Sequence, residues 1–277
     1  MRVGYTLGMG IGPEIFPLAL ERARVPAGTE FILCGNQHDP QGALLHAIEL
    51  AKLGEIGALV TGPVRKSILE NIDGRSYPGQ TELLHAHLAA DASPPLMCFA
   101  GGPFLLGLAT VHTPIREVSS LLTEKLLSQK LQRLIEGAAK MLNKPEKQVH
   151  VTVLGLNPHA GEGGLIGDEE QLVIEPVIQR FQKEGYQVVG PTPADGFFGY
   201  RMHQFKTDAV LAMMHDQGLG PYKLHCKGKV ANLTFGLKIL RASPAHGTAE
   251  DLVGTGRANP DSLIKAVEIL TSMQSGL

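Results

Sequence analysis

Short apolar runs alternate with longer segments of helical periodicity along most of the chain, and this alternation constrains the fold more than any other feature. Strands are predicted at 2–7, 30–34, 58–60, 95–100, 104–111, 148–155, 208–213 and 231–235, and helices after Gly12 and at 42–53, 123–142 and 259–273. Such alternation favours an α/β fold with a largely parallel sheet covered on both faces. Because ligands in these folds bind beyond the carboxyl ends of the strands, functional residues are expected just after each strand.

The charge balance excludes some classes of partner. The chain has 25 basic and 27 acidic residues and a net charge of −2, so it lacks the basic surplus of a nucleic-acid-binding protein. Its longest apolar runs, such as 104–111, are far too short to span a bilayer. The chain starts directly in a strand pattern, without the apolar stretch of a signal peptide. Three widely spaced cysteines indicate buried thiols rather than a disulfide framework, and the predicted location is the reducing cytoplasm.

Three of the 11 histidines, His112, His159 and His215, follow predicted strands closely. Each is therefore expected at the edge of the sheet where active sites form. Three imidazoles with one open position suit a catalytic divalent metal ion. The alternative is that each histidine only hydrogen-bonds its own loop, and the spacing alone does not decide between these interpretations.

Glycine-rich and polar loops are the next candidates. The first glycine loop, residues 8–12, precedes a helix and could bring backbone N–H groups to an anion, but a tight turn without a ligand fits equally well. The loop at 157–164 places small residues around a histidine and a glutamate, which suggests backbone packed close to a ligand. The acids at 168–170 favour the start of a further helix. The segment 243–251 is either a ligand loop or an ordinary capping segment.

Three basic residues, Lys66, Lys223 and Arg241, lie beside these loops in the sequence. Surface lysines are usually solvated and need no function. Arg241 ends an apolar run, and a guanidinium at such a place could bind phosphate or carboxylate with two parallel hydrogen bonds.

Six motifs run in order along nearly the whole chain. They lie at 10–14 (Gly-Ile-Gly-Pro-Glu), 61–66 (Thr-Gly-Pro-Val-Arg-Lys), 155–164 (Gly-Leu-Asn-Pro-His-Ala-Gly-Glu-Gly-Gly), 190–195 (Gly-Pro-Thr-Pro-Ala-Asp), 215–219 (His-Asp-Gln-Gly-Leu) and 246–249 (His-Gly-Thr-Ala). In these motifs the chain resembles the 4-hydroxythreonine-4-phosphate dehydrogenase family of pyridoxal phosphate biosynthesis. The resemblance implies a single dehydrogenase unit, 1–277, with a fold like that of isocitrate and isopropylmalate dehydrogenases. It further implies two α/β/α subdomains, 1–75 with 243–277 and 76–242, and a homodimer whose active site lies in a cleft at the subunit interface.

The resemblance also implies a set of site residues. The implied metal ligands are His112, His159 and His215, one of them supplied across the dimer. The implied substrate contacts are Gln80, Thr81, Lys223, Asn232 and Arg241. The nicotinamide nucleotide would bind at His246, Gly247, Thr248 and Asp251. Lys223 or a metal-bound water would accept the proton of the substrate hydroxyl. Asp216, next to His215 in the sequence, would orient a metal ligand without binding the metal itself.

The implied reaction is the oxidation and decarboxylation of 4-hydroxythreonine 4-phosphate to 3-amino-2-oxopropyl phosphate. It would use NAD or NADP and one divalent ion per site, zinc, cobalt or magnesium. Small phosphorylated hydroxy acids are therefore the expected ligands, with neither nucleic acid nor membrane as a partner.

The chain departs from the family pattern at several places. Gln80 replaces a histidine, Ala245 replaces an aspartate, the first glycine loop is slightly shorter, and the segment between Cys34 and Ala58 is much shorter. A glutamine can hydrogen-bond but cannot carry charge or transfer a proton near neutrality. Two alternatives therefore stay open: a sister dehydrogenase for threonate or erythronate 4-phosphate, and a metal- or ligand-binding relative without turnover.

Overall fold

The computed structural model describes residues 2–204 and 206–274. The strands are β1 (Arg2–Thr6), β2 (Glu30–Leu33), β3 (Ala58–Thr61), β4 (Leu96–Ala100), β5 (Leu105–Leu108), β6 (His150–Leu154), β7 (Gln187–Thr192), β8 (Ala209–Ala212), β9 (Ala231–Phe235) and β10 (Leu240–Pro244). The helices are α1 (Gly12–Arg22), α2 (Pro40–Lys52), α3 (Gln80–Leu88), α4 (Ile115–Leu121), α5 (Glu124–Leu142), α6 (Glu175–Lys183), α7 (Ala194–Gly199), α8 (His215–Cys226) and α9 (Asp261–Gln274). The α/β class predicted from the sequence is confirmed. Within the described residues, no helix is both long and apolar enough to cross a membrane.

The chain divides into two compact units, Met1–Pro95 with Gly228–Leu277, and Leu96–Lys227. These boundaries differ from the predicted ones near 75 and 243. Two contacts explain the difference: α3 packs against α2, and β9 pairs with β10. The segments 76–95 and 228–242 therefore belong to the first unit.

In the first unit the strand order is β2-β1-β3-β10-β9. The neighbours β2, β1, β3 and β10 run parallel, and β9 is antiparallel to β10. All four residues of β3 are buried, as expected for a strand with both faces covered. Apolar residues of α2, β3 and α3 form one buried cluster that includes Leu44, Ile48, Leu59, Leu83 and Leu84. Burial of each such side chain stabilises the fold by about 1.5–3 kcal/mol before entropy is counted.

In the second unit the order is β4-β5-β8-β6-β7, with β4 antiparallel to β5 and the remaining neighbours parallel. Helix α5 covers β4, β5 and β8. Its apolar stripe, predicted from the spacing of its leucines, is fully buried at Leu127, Leu131 and Leu134. The Thr123 hydroxyl accepts a hydrogen bond from the Leu126 N–H and caps the start of the helix, and Asn143 ends it in the left-handed conformation.

An ion pair fixes the amino ends of β6 and β8. Asp208 is 13% exposed and accepts a hydrogen bond of 2.8 Å from Lys144 Nζ and one of 3.0 Å from the His150 N–H. Burial would raise the pKa of Asp208, but the His150 N–H and the Lys144 ammonium outweigh it, so the pKa is lowered. The folded protein therefore favours the ionised carboxylate.

Replacement of Asp208 by asparagine is expected to lower the free energy of unfolding by about 1.5–3 kcal/mol, because charge-assisted hydrogen bonds are lost. The lowered pKa means that this stabilisation is complete at neutral pH and is lost as the pH falls through the folded-state pKa. Urea denaturation of the wild type and of Asp208→Asn should be measured across pH. The difference between their free energies of unfolding should become smaller in acid. A difference that does not depend on pH would contradict the role of the ionised Asp208.

Candidate active site

The three candidate histidines follow adjacent strands of the second unit. Strands β5, β8 and β6 are parallel neighbours in that order, so their carboxyl ends share one edge. His112 lies beyond the end of β5, His215 begins α8 just after β8, and His159 lies in the loop after β6. The sequence predicted a functional site at this edge.

His112 and His215 lie side by side, with 6.1 Å between their ring centroids. They line a small cavity of about 60 Å³ together with Thr110 and Met214. The Nδ1 atom of His215 lies 2.7 Å from Oδ1 of Asp216. A carboxylate at this distance favours a proton on Nδ1, which leaves the Nε2 lone pair for another partner. Imidazole nitrogens are ligands that zinc and cobalt accept, but two of them alone do not complete a site for either ion.

His159 does not join this pair within one chain. Across residues 2–204 and 206–274, no group of three or more histidine, cysteine, aspartate and glutamate side chains is arranged to hold a metal ion. The His159 side chain is exposed, and its backbone is left-handed, with φ of 54°. The role predicted for His159 therefore requires a second chain, and it stays a prediction.

Gln217 connects two of the strand ends, a role that the sequence analysis did not predict. Its Oε1 atom accepts a hydrogen bond of 2.8 Å from the Met213 N–H, and its Nε2 atom donates one of 2.6 Å to the Gly155 carbonyl. These bonds join the start of α8 to the loop after β6. The only signal in the sequence was its place in the His-Asp-Gln-Gly-Leu motif.

Arg241 lies on β10 in the first unit and is 4% exposed. Its Nη2 atom donates to the Thr61 hydroxyl at 2.7 Å and to Gln80 Oε1 at 3.3 Å, and its Nη1 atom donates to the Thr234 hydroxyl at 3.1 Å. Burial lowers the pKa of Arg241 to about 10, although nearby Glu82 opposes the shift. The guanidinium is thus held by neutral oxygen atoms.

Three polar atoms around Arg241 or on its sheet face remain without a hydrogen-bond partner among the described residues: Arg241 Nε, Glu82 Oε2 and Asn232 Oδ1. Asn232 shares this face because β9 pairs antiparallel with β10, with Asn232 opposite Ser243 and Thr234 opposite Arg241. Each buried polar atom left unpaired costs about 1–3 kcal/mol. Such a cluster suits a polar ligand that completes these hydrogen bonds.

Gln80 and Thr81 begin α3 beside this cluster. Gln80 Nε2 donates to the Gly62 carbonyl at 2.9 Å while its Oε1 atom accepts from Arg241. Both ends of the amide are therefore engaged by the protein. Thr81 is 5% exposed. The predicted residues Gln80 and Arg241 are thus brought into contact, and Gln80 supports the arginine.

Lys223 lies in the second unit on α8, about two helical turns from His215. Its side chain is partly buried, and this burial lowers the pKa of Lys223 below its usual range. The amine therefore loses its proton at a lower pH than an exposed lysine does. A lowered pKa is in the direction that a proton acceptor requires.

The four predicted cofactor residues lie in the first unit. The Thr248 carbonyl accepts a hydrogen bond of 3.0 Å from the N–H of Ile11. His246 Nδ1 lies 2.9 Å from the Gly247 carbonyl, and its Nε2 atom is buried without a partner among the described residues. Asp251 is exposed. The loop is thus anchored through its backbone, and its cofactor role stays a prediction.

The first glycine loop is explained by packing. The Met9 N–H donates to the Pro63 carbonyl at 2.7 Å. Gly10 has φ of 58°, and a Cβ atom there would lie 2.0 Å from the Thr248 carbonyl oxygen. Only glycine fits this turn. Its observed contacts favour the tight turn over an anion site.

Comparison with known families decides the relationship. A profile of the family described as pyridoxal phosphate biosynthetic protein PdxA matches residues 38–270, which is most of the chain and includes both the histidine edge and Arg241. The chain belongs to this family. The resemblance drawn from the six motifs is therefore confirmed.

Relatives in the PdxA family share much of the chain. It is 44% identical over 228 residues to a 4-hydroxythreonine-4-phosphate dehydrogenase of Aromatoleum aromaticum, covering 82% of this chain and 68% of that protein. A crystal structure of 4-hydroxythreonine-4-phosphate dehydrogenase from Klebsiella pneumoniae matches with a TM-score of 0.77 and 27% identity over 98% of this chain and 99% of that one. Isocitrate dehydrogenase from Methylococcus capsulatus matches with a TM-score of 0.55 and 15% identity over 99% of this chain and 86% of that one. The last match confirms the predicted fold.

Gln80 is a departure from the PdxA pattern that can be tested directly. In Gln80→His, an imidazole would lie beside the Arg241 guanidinium, which now contacts Gln80 at 3.3 Å. The variant is expected to add an ionisation to the pH profile of kcat/KM. Because a neighbouring cation disfavours protonation, this ionisation should fall below the ordinary histidine value of about 6.5. Profiles of both proteins should be compared, and superimposable profiles would contradict this placement of residue 80.

Proposed function

We propose that this chain oxidises and decarboxylates 4-hydroxythreonine 4-phosphate to 3-amino-2-oxopropyl phosphate in pyridoxal phosphate biosynthesis. The proposal rests on one observation in a member of the PdxA family: the paired imidazoles of His112 and His215 at the carboxyl edge, with Asp216 on Nδ1 of His215. A carboxylate that orients a histidine ligand is common in metal sites, and an ion bound there could assist the oxidation. The name of the Aromatoleum relative supplies the substrate.

The side chains have separate tasks in this proposal. His112 and His215 would hold the divalent ion through ring nitrogens, and Asp216 would keep His215 in the required tautomer. When bound, the ion supplies a Lewis acid for the substrate hydroxyl and the nicotinamide supplies the hydride acceptor. Lys223, on the same helix as His215 and with a pKa lowered by burial, or a metal-bound water would accept the hydroxyl proton. The β-keto acid produced loses carbon dioxide because its ketone accepts the electron pair of the broken bond.

Arg241 would bind the anionic part of the substrate. Its Nε atom is buried and without a hydrogen-bond partner among the described residues, so it can donate to an anionic oxygen of the ligand. Asn232 Oδ1 is likewise buried and unpaired there, and it can accept a bond from a hydroxyl or amino group of the ligand. Thr81 would add a hydroxyl beside them. Desolvated guanidinium–phosphate bonds are stronger than the bonds to neutral oxygens that Arg241 makes in the free protein.

A homodimer with shared sites is part of the proposal. Several large apolar side chains near the histidine edge are exposed, with Ile115 81%, Leu165 83% and Leu172 63% exposed. A hydrogen bond of 2.6 Å from Ser119 to Glu169 joins α4 to the segment that carries two of them. Exposed apolar side chains that form a contiguous patch often mark an interface, and we propose that these three contribute to one. A second copy that covers them would bring its own histidine to complete the site.

The proposed function includes a nicotinamide nucleotide, a divalent ion and a reducing compartment. NAD or NADP would bind at the His246–Asp251 loop, where His246 Nε2 has no partner among the described residues. The ion would be zinc, cobalt or magnesium, and imidazole ligands favour the first two. Cys34, Cys98 and Cys226 are free thiols, which suits the predicted reducing cytoplasm.

The proposed activity has a direct test. Purified protein should reduce NAD or NADP when 4-hydroxythreonine 4-phosphate and a divalent ion are added, and a chelator should stop the reaction until metal is restored. Absence of reduction with every metal and both nucleotides would overturn the proposal. A second candidate, a sister dehydrogenase for threonate or erythronate 4-phosphate, is favoured only by Gln80, and the same assay with those acids distinguishes it.

The shared site predicts complementation between two inactive chains. His159→Ala and His215→Ala homodimers should each be inactive. If His159 serves the site of the other subunit, mixed dimers contain one site with both alanines and one with neither. Subunit exchange should therefore restore roughly half of the activity per mixed dimer. One of the two chains should be labelled with ¹⁵N, because the variants otherwise have identical masses, and native mass spectrometry then verifies the exchange. No recovery in verified mixed dimers would contradict a shared site.

A further inference from the structure

The loop that carries His159 contains a left-handed turn. Residues 159–163 all have positive φ, from 43° at Glu162 to 77° at Gly161. Three of them, His159, Ala160 and Glu162, are not glycine. Left-handed backbone costs roughly 1–2 kcal/mol for each such residue, and consecutive examples are rare. The turn therefore needs contacts elsewhere that hold it in place.

Glu170 supplies those contacts from the π-helical turn that precedes α6. It is 1% exposed. Its Oε1 atom accepts hydrogen bonds from the N–H groups of Leu156 at 2.7 Å and Asn157 at 2.8 Å, and its Oε2 atom accepts one of 2.9 Å from Asn157 Nδ2. A buried carboxylate is tolerated only when donors surround it in this way. The entry to the left-handed turn is thus fixed by a charged group.

The middle of the turn also packs against this carboxylate. A Cβ atom on Gly161 would lie 2.7 Å from Glu170 Oε2. On the other side, the Ile166 N–H donates to the Gly161 carbonyl at 3.0 Å and closes the loop. Glu170 therefore contacts the loop both where the turn begins and at its centre.

We propose that Glu170 is a positioning residue that holds the left-handed turn and through it presents His159 as a metal ligand. This inference rests on the proposed function, in which His159 binds the ion. Without the carboxylate, the turn would relax toward ordinary backbone conformations, and the direction of the His159 side chain would change. Second-sphere groups that orient a ligand typically change metal affinity by about 10- to 100-fold.

The first test is Glu170→Gln. The neutral amide oxygen accepts the two backbone N–H bonds more weakly than the carboxylate does, and its NH2 group would face Asn157 Nδ2, so two donors would meet. Asn157 cannot turn its amide without losing its bond of 2.6 Å to Glu169. Affinity for Co²⁺ should fall by about 10- to 100-fold, and the absorption spectrum of bound cobalt should change. In metal-free protein, amide exchange at 156 and 157 should accelerate.

Glu169→Gln is the matched control. Glu169 also accepts a bond from Asn157 Nδ2 and one of 2.6 Å from Ser119, but among the described residues it accepts no hydrogen bond from the backbone of the turn. It should change cobalt affinity and amide exchange much less than Glu170→Gln. Equal effects of the two variants would overturn the special role of Glu170.

A double-mutant comparison isolates the contact itself. Gly161→Ala and Gly163→Ala both place a side chain on left-handed backbone, but the Gly163 position has no atom within 4 Å of the added Cβ. Gly161→Ala should therefore weaken cobalt binding more than Gly163→Ala. In a Glu170→Ala background this difference should shrink, because the carboxylate is gone and only the Gly167 carbonyl oxygen, 3.1 Å from the added Cβ, remains close. A difference of the same size in that background would overturn the proposal.

The results for His159→Ala and Glu170→Gln together distinguish a failure of this inference from a failure of the proposed function. If His159→Ala abolishes cobalt binding and Glu170→Gln leaves both affinity and exchange unchanged, the proposed function stands and this inference fails. Faster amide exchange in Glu170→Gln without a loss of cobalt affinity would also overturn the inference. In that case the conformation of the turn would not determine how His159 binds the metal. If His159→Ala leaves cobalt binding intact, His159 is not a ligand, and the metal site of the proposed function fails together with the inference.

Discussion

Replacement of His215 by alanine is expected to remove tight binding of a divalent ion and, with it, turnover. The imidazole lies beside His112, with 6.1 Å between the ring centroids, and Asp216 fixes its tautomer. Loss of a group that only hydrogen-bonds a metal ligand typically lowers metal affinity by about 10- to 100-fold. Loss of the ligand itself should therefore lower it by at least about 100-fold. Titration with Co²⁺, followed by absorption and calorimetry, measures this directly.

Two further variants, Asp216→Asn and His225→Ala, serve as comparisons for the effect of His215→Ala on metal binding. Asp216→Asn should weaken cobalt binding less than His215→Ala, since the ligand remains and only its orientation is lost. His225→Ala removes an exposed histidine from the same helix, and it should leave binding and turnover unchanged. If His215→Ala and His225→Ala behave alike, the assignment of the metal site to this edge is wrong.

Replacement of Arg241 by alanine is expected to weaken binding of the phosphorylated substrate by roughly 10- to 150-fold, which corresponds to about 1.5–3 kcal/mol. The reason is the loss of a buried guanidinium whose Nε atom has no partner among the described residues. Arg241→Lys should recover only part of the loss, since an ammonium cannot form two parallel bonds. Substrate and nucleotide binding should be measured separately by calorimetry.

The position of Arg241 in the core requires a control for folding. Thermal unfolding of each variant shows whether the loss of Thr61, Thr234 and Gln80 as partners destabilises the protein. Arg22→Ala removes an exposed arginine from α1 in the same unit and should change neither substrate binding nor stability appreciably. Equal loss of nucleotide and substrate affinity in Arg241→Ala would contradict a specific role in binding the anion.

The sequence predicted much of the fold because hydrophobic periodicity reports burial. The stripe of α5 and the short apolar strands β3 and β8 are of this kind, and the structure confirms them. Other elements were missed for local reasons. Helix α8 contains Gly218, Gly220 and Pro221, which are poor helix formers. Strand β10 carries Arg241 and Ser243 within its apolar pattern, and β7 contains Gly190-Pro191.

The candidate site was predicted only in part, because the sequence locates chemical groups but not their contacts. It placed His112 and His215 at strand ends, and the structure brings them together. It assigned Glu170 to the start of a helix, where acids are common, and gave no indication that the carboxylate holds the 156–163 segment. Gln80 was expected to face substrate, whereas its amide already bonds Gly62 and Arg241. Contacts between residues so far apart in the chain are set by tertiary packing.

A comparison of kcat/KM values shows directly whether 4-hydroxythreonine 4-phosphate is the substrate. The metal-loaded protein should be assayed with this compound, threonate 4-phosphate and erythronate 4-phosphate, with NAD and with NADP, while released carbon dioxide is measured in parallel. The highest kcat/KM is expected for 4-hydroxythreonine 4-phosphate, with one carbon dioxide released for each nucleotide reduced. A higher kcat/KM for either of the other acids, or no turnover of any of them, would contradict this expectation.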